Sequence, residues 1–373
     1  MISVSHLIEH QFEQRKGGVE NFVRLLTQQR PDPQFRHKII SKTEVGDRYS
    51  LGTTLNGARD CEISNPELGR ALSSSDHTQS LNTNLVHIHQ IMPYGLRPII
   101  KLQSVKPSIL TLHDYFPFCH KVHFYPNKGG LCKQGPSVTK CSTCIGSKWS
   151  FLPLMAFFGY RMQLVQQFFE KLEAIIIPNE DLFFEIPEPL RIKTSIIPYA
   201  VPLSSKVNST SKEGYIYVGA MAPHKGIFQL LEDLERLGFD GRFDLYGPKP
   251  SQGMPRLPFF ANYNGLLEDR TIMQSYKALV LPSVWKETGP LVVLEALEEG
   301  VPVLARRGSI SSTYSNSSFV QFFSSAEELM SLSIPNSVER PNHLPDLEKV
   351  ITLHHDLYTK VWESSQVRYN GTG

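Results

Sequence analysis

The chain has 373 residues, of which 40% are apolar and 20% charged, and its formal net charge is +2. A chain of this length is expected to form two or three domains, whose cores need no disulfide or metal to be stable. The composition excludes disordered, collagen-like and coiled-coil proteins, and the near-neutral balance argues against a uniformly basic nucleic-acid-binding protein. The charge is nevertheless uneven, since residues 1–195 carry a net +5 and the remainder a net −3.

The sequence offers no sign of export or of a membrane span. The first fifteen residues have no continuous apolar segment, and the longest apolar-rich run, Trp149–Tyr160, is too short to cross a bilayer. The five cysteines are an odd number, which argues against a disulfide framework. We therefore expect a cytoplasmic protein.

In the first half of the chain, predicted strands alternate with predicted helices. The turn at Arg15–Gly18 is followed by apolar residues at helical spacing, and further helices are predicted to end at Ser104 and to span Trp149–Leu172. Residues 49–84 are weakly patterned, and residues 115–147 show no periodicity. Strands are predicted at residues 1–7, 85–89, 108–112, 174–178 and 194–197.

The pattern restarts after a candidate linker, in which a Pro-containing segment at 197–202 precedes a polar stretch at 204–214. Alternation in both halves predicts two parallel-sheet α/β domains, in which ligands bind beyond the carboxyl ends of the strands. Each motif described next follows a predicted strand. The remaining strands are predicted at residues 215–218, 242–246, 278–281 and 302–305, and helices at 227–237, 269–277 and 290–299.

Two motifs in the first half fit this rule. Gly17 and Gly18 precede a helix whose N-terminal N–H groups can bind an anion, although a plain turn is the simpler alternative. His113 ends a strand and could hydrogen-bond a substrate, while Asp114 could set its tautomer or cap a turn. A purely structural histidine is the alternative for that pair.

In the second half, Lys225 lies at the start of a helix, where a cation and the helix dipole would both favour a phosphate. Glu287 falls in a loop after a strand, and Glu295 lies on the following helix, so the two carboxylates can bind hydroxyls of one elongated ligand. The backbone N–H groups of Thr288 and Gly289 lie between them. Apolar neighbours place Glu295 near a site rather than in bulk water, whereas Glu298 and Glu299 are expected on the surface.

A cysteine cluster lies in the segment without periodicity. Cys141 and Cys144 form a C-x2-C pair, which Cys119 and Cys132 precede at irregular spacing. The four thiols are compatible with a structural, tetrahedral zinc site and equally with reduced, buried cysteines. Cys61 lies apart from them.

The segment Arg97–Lys148 contains eight basic residues and one acid, Asp114. It precedes the apolar helix predicted at Trp149–Leu172. The two together could contact phosphates or an anionic membrane surface. The alternative is a solvated basic face beside a helix that belongs to the domain core.

Four segments together resemble glycosyltransferase family 4, of the bacterial polysaccharide and lipopolysaccharide type. The spacing of Glu287 and Glu295 matches the E-x7-E motif of that family. The resemblance covers most of the chain. Its segments are Gly17–Glu20, His113–Asp114, VGAMAPHKG from Val218 to Gly226, and PSVWKETGPLVVLEALEEGVPVLA from Pro282 to Ala305.

The resemblance implies the GT-B fold, in which two Rossmann-like domains face each other across a cleft. Residues 1–197 would form the acceptor-side domain, and residues 198–353 would bind the nucleotide sugar. Residues 354–373 would form a helix that packs back on the first domain.

The resemblance also implies roles for single residues. Glu287 would contact the hydroxyls of the donor sugar and Glu295 the ribose, while Lys225 would neutralise the diphosphate. The backbone from Thr288 through Gly289 and Pro290 to Leu291 would border the donor. In the first domain, His113 and Asp114 would lie beside the transferred sugar, and Gly17 and Gly18 near the donor phosphates or the acceptor. The family often has an arginine where this chain has Ala220, so one cation for the diphosphate is missing.

The implied reaction is retaining transfer of a sugar from a UDP- or GDP-sugar to a glycan or lipid-diphosphate-linked acceptor, without a metal or other cofactor in the chemistry. Lipopolysaccharide, capsule or exopolysaccharide assembly would be the pathway, at the inner face of the cytoplasmic membrane. Two alternatives remain open. One is a nucleotide-sugar 2-epimerase of the same fold, and the other is a sugar-nucleotide-binding partner subunit that has lost catalysis.

Overall fold

A computed structural model describes residues 1–10, 17–28, 32–45, 48–55, 58–64, 83–124, 132, 136–146, 151–204, 212–250, 253–311, 313–314, 318–335 and 344–370. The chain divides into two compact units. The first unit comprises residues 1–122, 132–199 and 347–373, and the second comprises residues 123–131 and 200–346. The end of the chain therefore belongs to the same unit as its beginning.

The first unit is built on an eight-stranded sheet with the order β4-β3-β2-β1-β5-β6-β7-β8. The strands β2, β1, β5, β6, β7 and β8 are parallel to one another, and β3 and β4 add an antiparallel edge. Short runs of apolar residues form its centre because a parallel sheet is covered on both faces. The strands are β1 Ile2–Ile8, β2 Phe35–Val45, β3 Arg48–Leu55, β4 Ala58–Ser64, β5 Leu85–Ile88, β6 Ser108–Thr111, β7 Ala174–Ile177 and β8 Thr194–Ile196.

Within its described residues before position 200, the first unit has five α-helices: α1 Gly18–Gln28, α2 Leu96–Gln103, α3 Val138–Ile145, α4 Phe151–Glu170 and α5 Glu188–Arg191. Ser137 begins α3, because its hydroxyl accepts a hydrogen bond from the Lys140 N–H at 3.2 Å. Helix α4 buries Phe158, Arg161, Phe168 and Phe169 and leaves much of its first half exposed. Within the described part of the chain, no helix combines the length and the apolar character that a membrane span requires.

The second unit has a six-stranded, wholly parallel sheet with the order β11-β10-β9-β12-β13-β14. Its core packs Leu230, Leu231 and Leu234 of one helix against the central strands. The strands are β9 Tyr215–Val218, β10 Phe243–Tyr246, β11 Ala261–Tyr263, β12 Ala278–Leu281, β13 Val303–Arg306 and β14 Val320–Phe323. The helices are α6 Ile227–Arg236, α7 Leu291–Glu298 and α8 Ala326–Ser331.

The last helix, α9 Leu347–Asn370, packs in the first unit. Tyr358 on α9 is completely buried, and its hydroxyl is hydrogen-bonded to Nδ1 of His87 in β5 at 2.7 Å. The prediction of two Rossmann-like parallel-sheet domains with a returning C-terminal helix is confirmed. The helix begins at Leu347, seven residues before the start expected from the sequence.

The sequence patterns missed several elements. Strands β3 and β4 lie in the segment taken as weakly patterned, and α3 lies in the segment without periodicity. Residues 270–275 form a 3-10 helix rather than the α-helix predicted there. The polar strands β3 and β4 are held by main-chain pairing to β2 and to each other, which a local apolar pattern does not reveal.

Candidate functional site

Hydrogen bonds from three side chains and one backbone contact hold Glu287 in place. It lies in the loop after β12, its side chain is 7% exposed, and its backbone N–H donates to the carbonyl oxygen of Ser309 at 2.7 Å. Its Oε1 accepts from Ser283 Oγ at 2.5 Å and from Trp285 Nε1 at 3.0 Å. Lys225 Nζ donates to both carboxylate oxygens, at 2.7 and 2.8 Å. The sequence therefore predicted two site residues that the structure joins in one ion pair.

Gly226 allows the loops that carry Lys225 and Glu287 to lie close together. Lys225 ends a 3-10 helix after β9, and Gly226 follows with a left-handed φ of 69° before α6 begins. A Cβ at this glycine would lie 2.3 Å from the carbonyl oxygen of Pro282, so only glycine lets the two loops approach. The Val284 N–H also donates to the carbonyl oxygen of His224 at 3.0 Å. The β9 and β12 loops are thus fastened to each other where Lys225 and Glu287 meet.

Aromatic rings border this ion pair. The Trp285 ring lies 5.1 Å from Lys225 Nζ and meets the His224 ring edge-on at 5.4 Å. The ring of His123 stacks on His224 at 4.3 Å. Burial, assisted by His123 and Lys225, lowers the pKa of His224 to about 3, so its imidazole is neutral at ordinary pH. The sequence analysis did not single out His123 or His224, because neither lies at a recognisable spacing from the other.

The remaining predicted donor-site residues lie at the start of α7. Thr288 is buried, Gly289 and Pro290 are half-buried, and Pro290 occupies the N-cap position directly before Leu291. Glu295 lies one turn further along the helix and is half-buried. Burial raises the pKa of Glu295, an effect that Arg270 opposes and Glu299 reinforces.

Glu298 and Glu299 are buried, which corrects the expectation that both are surface residues. Glu299 Oε1 pairs with Arg270 Nε at 2.7 Å, and its Oε2 accepts from Gln274 at 2.5 Å and Ser204 at 2.8 Å. Glu299 is completely buried at the end of α7. A charged group in such a position must be paired, and these three partners make its burial possible. No local sequence pattern pointed to this partner.

Ala220 occupies the position where the resembled family often has an arginine. Its carbonyl oxygen accepts a hydrogen bond from the Tyr217 hydroxyl at 2.6 Å. Of the two nearby arginines that the sequence offers, Arg306 donates to the carbonyl oxygen of Pro282 at 3.1 Å. Arg307 donates instead to Glu328 at 3.2 Å and to neighbouring groups of β14. Both guanidinium groups therefore already have partners within the second unit.

In the first unit, Gly17 and Gly18 stand at the start of α1, as predicted. The buried carboxylate of Glu20 folds back over Gly17, so that a Cβ at Gly17 would lie 2.2 Å from Glu20 Oε2. A carboxyl group of the protein itself thus occupies the space beside Gly17. Gly18 is exposed.

His113 and Asp114 follow β6, at the carboxyl end of that strand. Both ring nitrogens of His113 have partners, since Nδ1 is 2.5 Å from the Tyr199 hydroxyl and Nε2 is 2.9 Å from Nδ1 of His89. Asp114 Oδ1 accepts from the Phe116 N–H at 2.7 Å, and burial raises the pKa of Asp114 to about 6. The structure therefore gives His113 and Asp114 structural hydrogen bonds in addition to any contact with a ligand.

The four cysteines of the predicted cluster are free thiols and half-buried. Burial is the main cause that raises the pKa of Cys141, and the charges of Cys119, Cys132 and Cys144 raise it further, so the thiols lie near one another. Among the described residues, however, the one group whose ligand atoms lie within 4.8 Å of one another consists of His6, His87 and His89. The zinc site at the cysteines remains a prediction. Cys61 lies where the side chains are outside the described part of the structure.

Solved structures of other proteins share the fold of this chain. No family model matches the chain, and no curated protein matches it. Sucrose-phosphate synthase from Thermosynechococcus elongatus is similar over 98% of this chain and 100% of its own, with a TM-score of 0.63 and 14% identity. Anabaena HepE in complex with UDP and glucose gives a TM-score of 0.53 at 12% identity over 88% of each chain.

AviGT4, a glycosyltransferase involved in avilamycin A biosynthesis, gives a TM-score of 0.52 at 13% identity and covers 97% of this chain and 98% of its own. At such identities the similarity shows the fold alone. That fold is the GT-B fold, built from two Rossmann-like domains.

Proposed function

We infer that the protein is a glycosyltransferase that moves a sugar from a nucleotide-sugar donor to an acceptor. The observation that carries this proposal is the contact between Lys225 and Glu287, on adjacent loops at the carboxyl ends of β9 and β12. A fixed cation and a fixed carboxylate at this edge suit a diphosphate and the hydroxyls of a sugar. The fold shared with HepE, which was solved with UDP and glucose, supports the same class of donor.

In this proposal Lys225 contacts the donor diphosphate and Glu287 the hydroxyls of the transferred sugar. Without a ligand the two side chains neutralise each other, and the donor replaces that ion pair with one contact for each group. Glu295 on α7 binds the ribose, since it is half-buried and lies one helical turn after Leu291, where the backbone segment Thr288–Leu291 ends. The cation missing at Ala220 is left to Lys225 and to the backbone N–H groups at the start of α7.

We assign the enzyme to the retaining enzymes of glycosyltransferase family 4. The bond from the anomeric carbon to the leaving phosphate oxygen breaks, the bond to the acceptor oxygen forms on the same face, and the leaving diphosphate takes the acceptor proton. The protein then has to hold both substrates and stabilise the leaving charge, which positioned groups such as Lys225 do without a metal ion. In the first unit, His113 and Asp114 are assigned to the transferred sugar, and Gly17 and Gly18 to a phosphate or the acceptor.

The acceptor we propose is a glycan or a lipid-diphosphate-linked sugar, in the cytoplasmic assembly of a bacterial surface polysaccharide such as lipopolysaccharide, capsule or exopolysaccharide. Four large apolar side chains of α4 support a peripheral contact with a membrane: Phe151, Leu152, Phe157 and Tyr160 are each more than a third exposed. Arg97 lies over the ring of Tyr160, so a basic group adjoins this apolar face. An apolar face with basic neighbours is suited to an anionic lipid surface.

The donor assignment is tested by incubating the protein with UDP- and GDP-sugars and following nucleotide release with and without acceptor extracts. Glu287→Gln should lower transfer by about a hundredfold or more, the size of effect found when one group that stabilises the transition state is removed. The matched control is Glu232→Gln, on the exposed side of α6. Equal activity of Glu287→Gln and the control would contradict the proposal.

The products separate the alternatives. An α-linked product from an α-linked donor, unchanged by EDTA, supports metal-independent retention. A donor that is epimerised without consumption of acceptor identifies a 2-epimerase. Nucleotide binding without turnover of any acceptor identifies an inactive partner subunit, and Ala220→Arg then tests whether the missing cation is the cause.

Membrane contact is tested by sedimentation with phosphatidylcholine vesicles that contain or lack phosphatidylglycerol. Leu152→Glu should reduce binding to the anionic vesicles, because Leu152 is 76% exposed on α4. Phe259→Glu is the matched control, since Phe259 is equally exposed in the second unit. Equal binding of both variants and the unmodified protein would contradict the proposed contact.

A further inference from the structure

Four histidines lie in a row across the sheet of the first unit. His37 is in β2, His6 is in β1, His89 directly follows β5, and His113 lies two residues after the end of β6. His6, His37 and His89 are buried, and His113 is half-buried. We call these four residues the histidine chain. The strands β2, β1, β5 and β6 are neighbours in the sheet. The histidine chain crosses them diagonally, from near the amino end of β2 to beyond the carboxyl end of β6.

Every link of the histidine chain joins unlike nitrogens. His113 Nε2 is 2.9 Å from His89 Nδ1, His89 Nε2 is 3.0 Å from His6 Nδ1, and His6 Nε2 is 2.9 Å from His37 Nδ1. At the carboxyl end, His113 Nδ1 is 2.5 Å from the Tyr199 hydroxyl. The four rings are therefore connected head to tail from Tyr199 to His37.

A neutral imidazole donates from one nitrogen and accepts at the other. Two neighbouring rings can form an N–H···N bond only when one of them donates, so the head-to-tail order forces all four rings into the same tautomer. In the Nε2–H state, Tyr199 donates to His113 and each ring donates to the next, ending in an N–H at His37. In the Nδ1–H state every bond runs the other way, and His113 donates to the Tyr199 oxygen.

We propose that the histidine chain is a proton path, through which one proton taken up at Tyr199 releases one proton at His37. In each link a hydrogen passes from one heavy atom to its partner: Tyr199 O to His113 Nδ1, then Nε2 to Nδ1 along the three remaining links. His37 Nε2 gives the last proton to a solvent water, and the Tyr199 oxygen receives a new one from another solvent water. The same steps in reverse restore the Nε2–H state, so charge and atoms balance in both directions.

Ionisable groups stand at both ends of the path. At the His37 end, the carboxylate of Asp32 is about one-third exposed and lies 3.3 Å from Nδ1 of His355, whose ring stacks over His37. At the other end, burial raises the pKa of Tyr199, and the charge of Asp114 raises it further. Burial, the largest cause, and the charges of His355 and His354 lower the pKa of His37 to about 4, whereas the carboxylate of Asp32 raises it. Asp32 therefore favours the state that keeps a proton on the outer nitrogen of His37, and we expect the Nε2–H state to dominate. Tyr199 then donates to His113.

The buried surroundings keep the four histidines neutral and couple proton release at one end of the histidine chain to proton uptake at the other. Burial, the largest cause, lowers the pKa of His6 and of His89 far below the usual value, so an imidazolium is not stable in the middle. Burial also raises the pKa of Tyr199, so its oxygen must regain a proton as it loses one. Release at one end therefore requires uptake at the other.

A metal ion between His6, His87 and His89 is the competing use of these rings, since their ligand atoms lie within 4.8 Å of one another. Both nitrogens of His87 are already hydrogen-bonded, to the Tyr358 hydroxyl at 2.7 Å and to Thr111 Oγ1 at 2.7 Å. The His87 ring lies tilted by 36° against the His89 ring, with ring centres 3.9 Å apart. The hydrogen-bonded chain accounts for the nitrogens without moving them.

The test is nitrogen NMR of protein labelled with 15N in its histidines, which identifies the protonated nitrogen of each ring. The unmodified protein should show one common tautomer for the four rings of the histidine chain. Asp32→Asn removes the carboxylate charge but keeps the oxygen that accepts from the Gln34 N–H. It should shift all four rings toward the Nδ1–H state by the same fraction, while His87, equally buried but outside the chain, stays unchanged.

His6→Gln breaks the path, and His87→Gln is its matched control on the neighbouring strand. When Asp32→Asn is combined with His6→Gln, the tautomer of His37 should still shift but that of His113 should not. When it is combined with His87→Gln, the tautomers of all four rings should still shift together. Mixed tautomers in the unmodified chain, or a response that never reaches His113, would overturn the proposal even if His6→Gln does not fold. Stoichiometric zinc bound to these rings would also overturn it. None of these readouts depends on sugar transfer.

Discussion

Replacement of Lys225 by methionine removes the cation from Glu287 and keeps an unbranched apolar side chain in its place. The carboxylate loses both hydrogen bonds from Nζ and keeps those from Ser283 and Trp285. Loss of one partner from a fully buried ion pair costs about 3–5 kcal/mol, and a hydrogen bond to a charged group contributes about 1.5–3 kcal/mol. Because the Lys225 side chain is 21% exposed and two donors remain, we expect the free energy of unfolding to fall by about 2 kcal/mol.

Urea unfolding of Lys225→Met, Glu287→Gln and the double variant measures this interaction as a coupling energy. We expect a coupling of about 1–2 kcal/mol, in the range found for residues in direct contact. Lys277→Met is the control, because Lys277 is exposed just before β12. A coupling below about 0.3 kcal/mol, which is typical of independent sites, would refute the ion pair as a stabilising contact.

Binding of UDP by the same variants separates the two roles. Lys225→Met should raise the dissociation constant about tenfold, equivalent to about 1.4 kcal/mol, because it removes a contact with the diphosphate. Glu287→Gln should leave UDP binding unchanged or tighten it, since UDP has no sugar for Glu287 to contact and Lys225 is released from its partner. Equal weakening by both variants would refute this division of roles.

Three further predictions test the scaffold around the site. Gly226→Ala should destabilise the protein by about 3 kcal/mol or more, through a left-handed φ and a Cβ 2.3 Å from the Pro282 oxygen. Gly238→Ala, with a φ of 74° and no atom within 4 Å of its Cβ, should cost only about 1 kcal/mol in the same urea experiment, and similar losses would contradict the close contact. The pKa of Asp114 is raised from 3.8 to about 6, so this carboxyl stabilises the fold below about pH 4 and loses that contribution as pH rises through 6. Asp114→Asn should match the unmodified protein near pH 4 and exceed its stability at pH 7 by up to about 3 kcal/mol, and a difference independent of pH would refute the shift. The cysteine cluster predicts about one zinc per chain in protein purified without chelators, and Cys141→Ser should lose it; protein of full thermal stability without metal would contradict the prediction.

The sequence was most informative where a pattern is local. Alternating strands and helices predicted both sheets, and Lys225 and Glu287 were found because each follows a predicted strand. The same reasoning failed for β3 and β4, whose polar residues are held by main-chain pairing with a distant strand. It also failed for Glu299, which was expected on the surface but is buried and paired with Arg270.

The sequence by itself therefore determined the two-domain α/β architecture and the chemical types of residue at the strand ends, because periodicity and motif spacing act over a few residues. Only the tertiary structure decided which of those groups touch. The Lys225–Glu287 pair depends on Gly226, which lets two loops approach, and the histidine chain depends on the order of parallel strands. In a parallel sheet neighbouring strands come from distant parts of the chain, so contacts between them leave no mark in any local pattern.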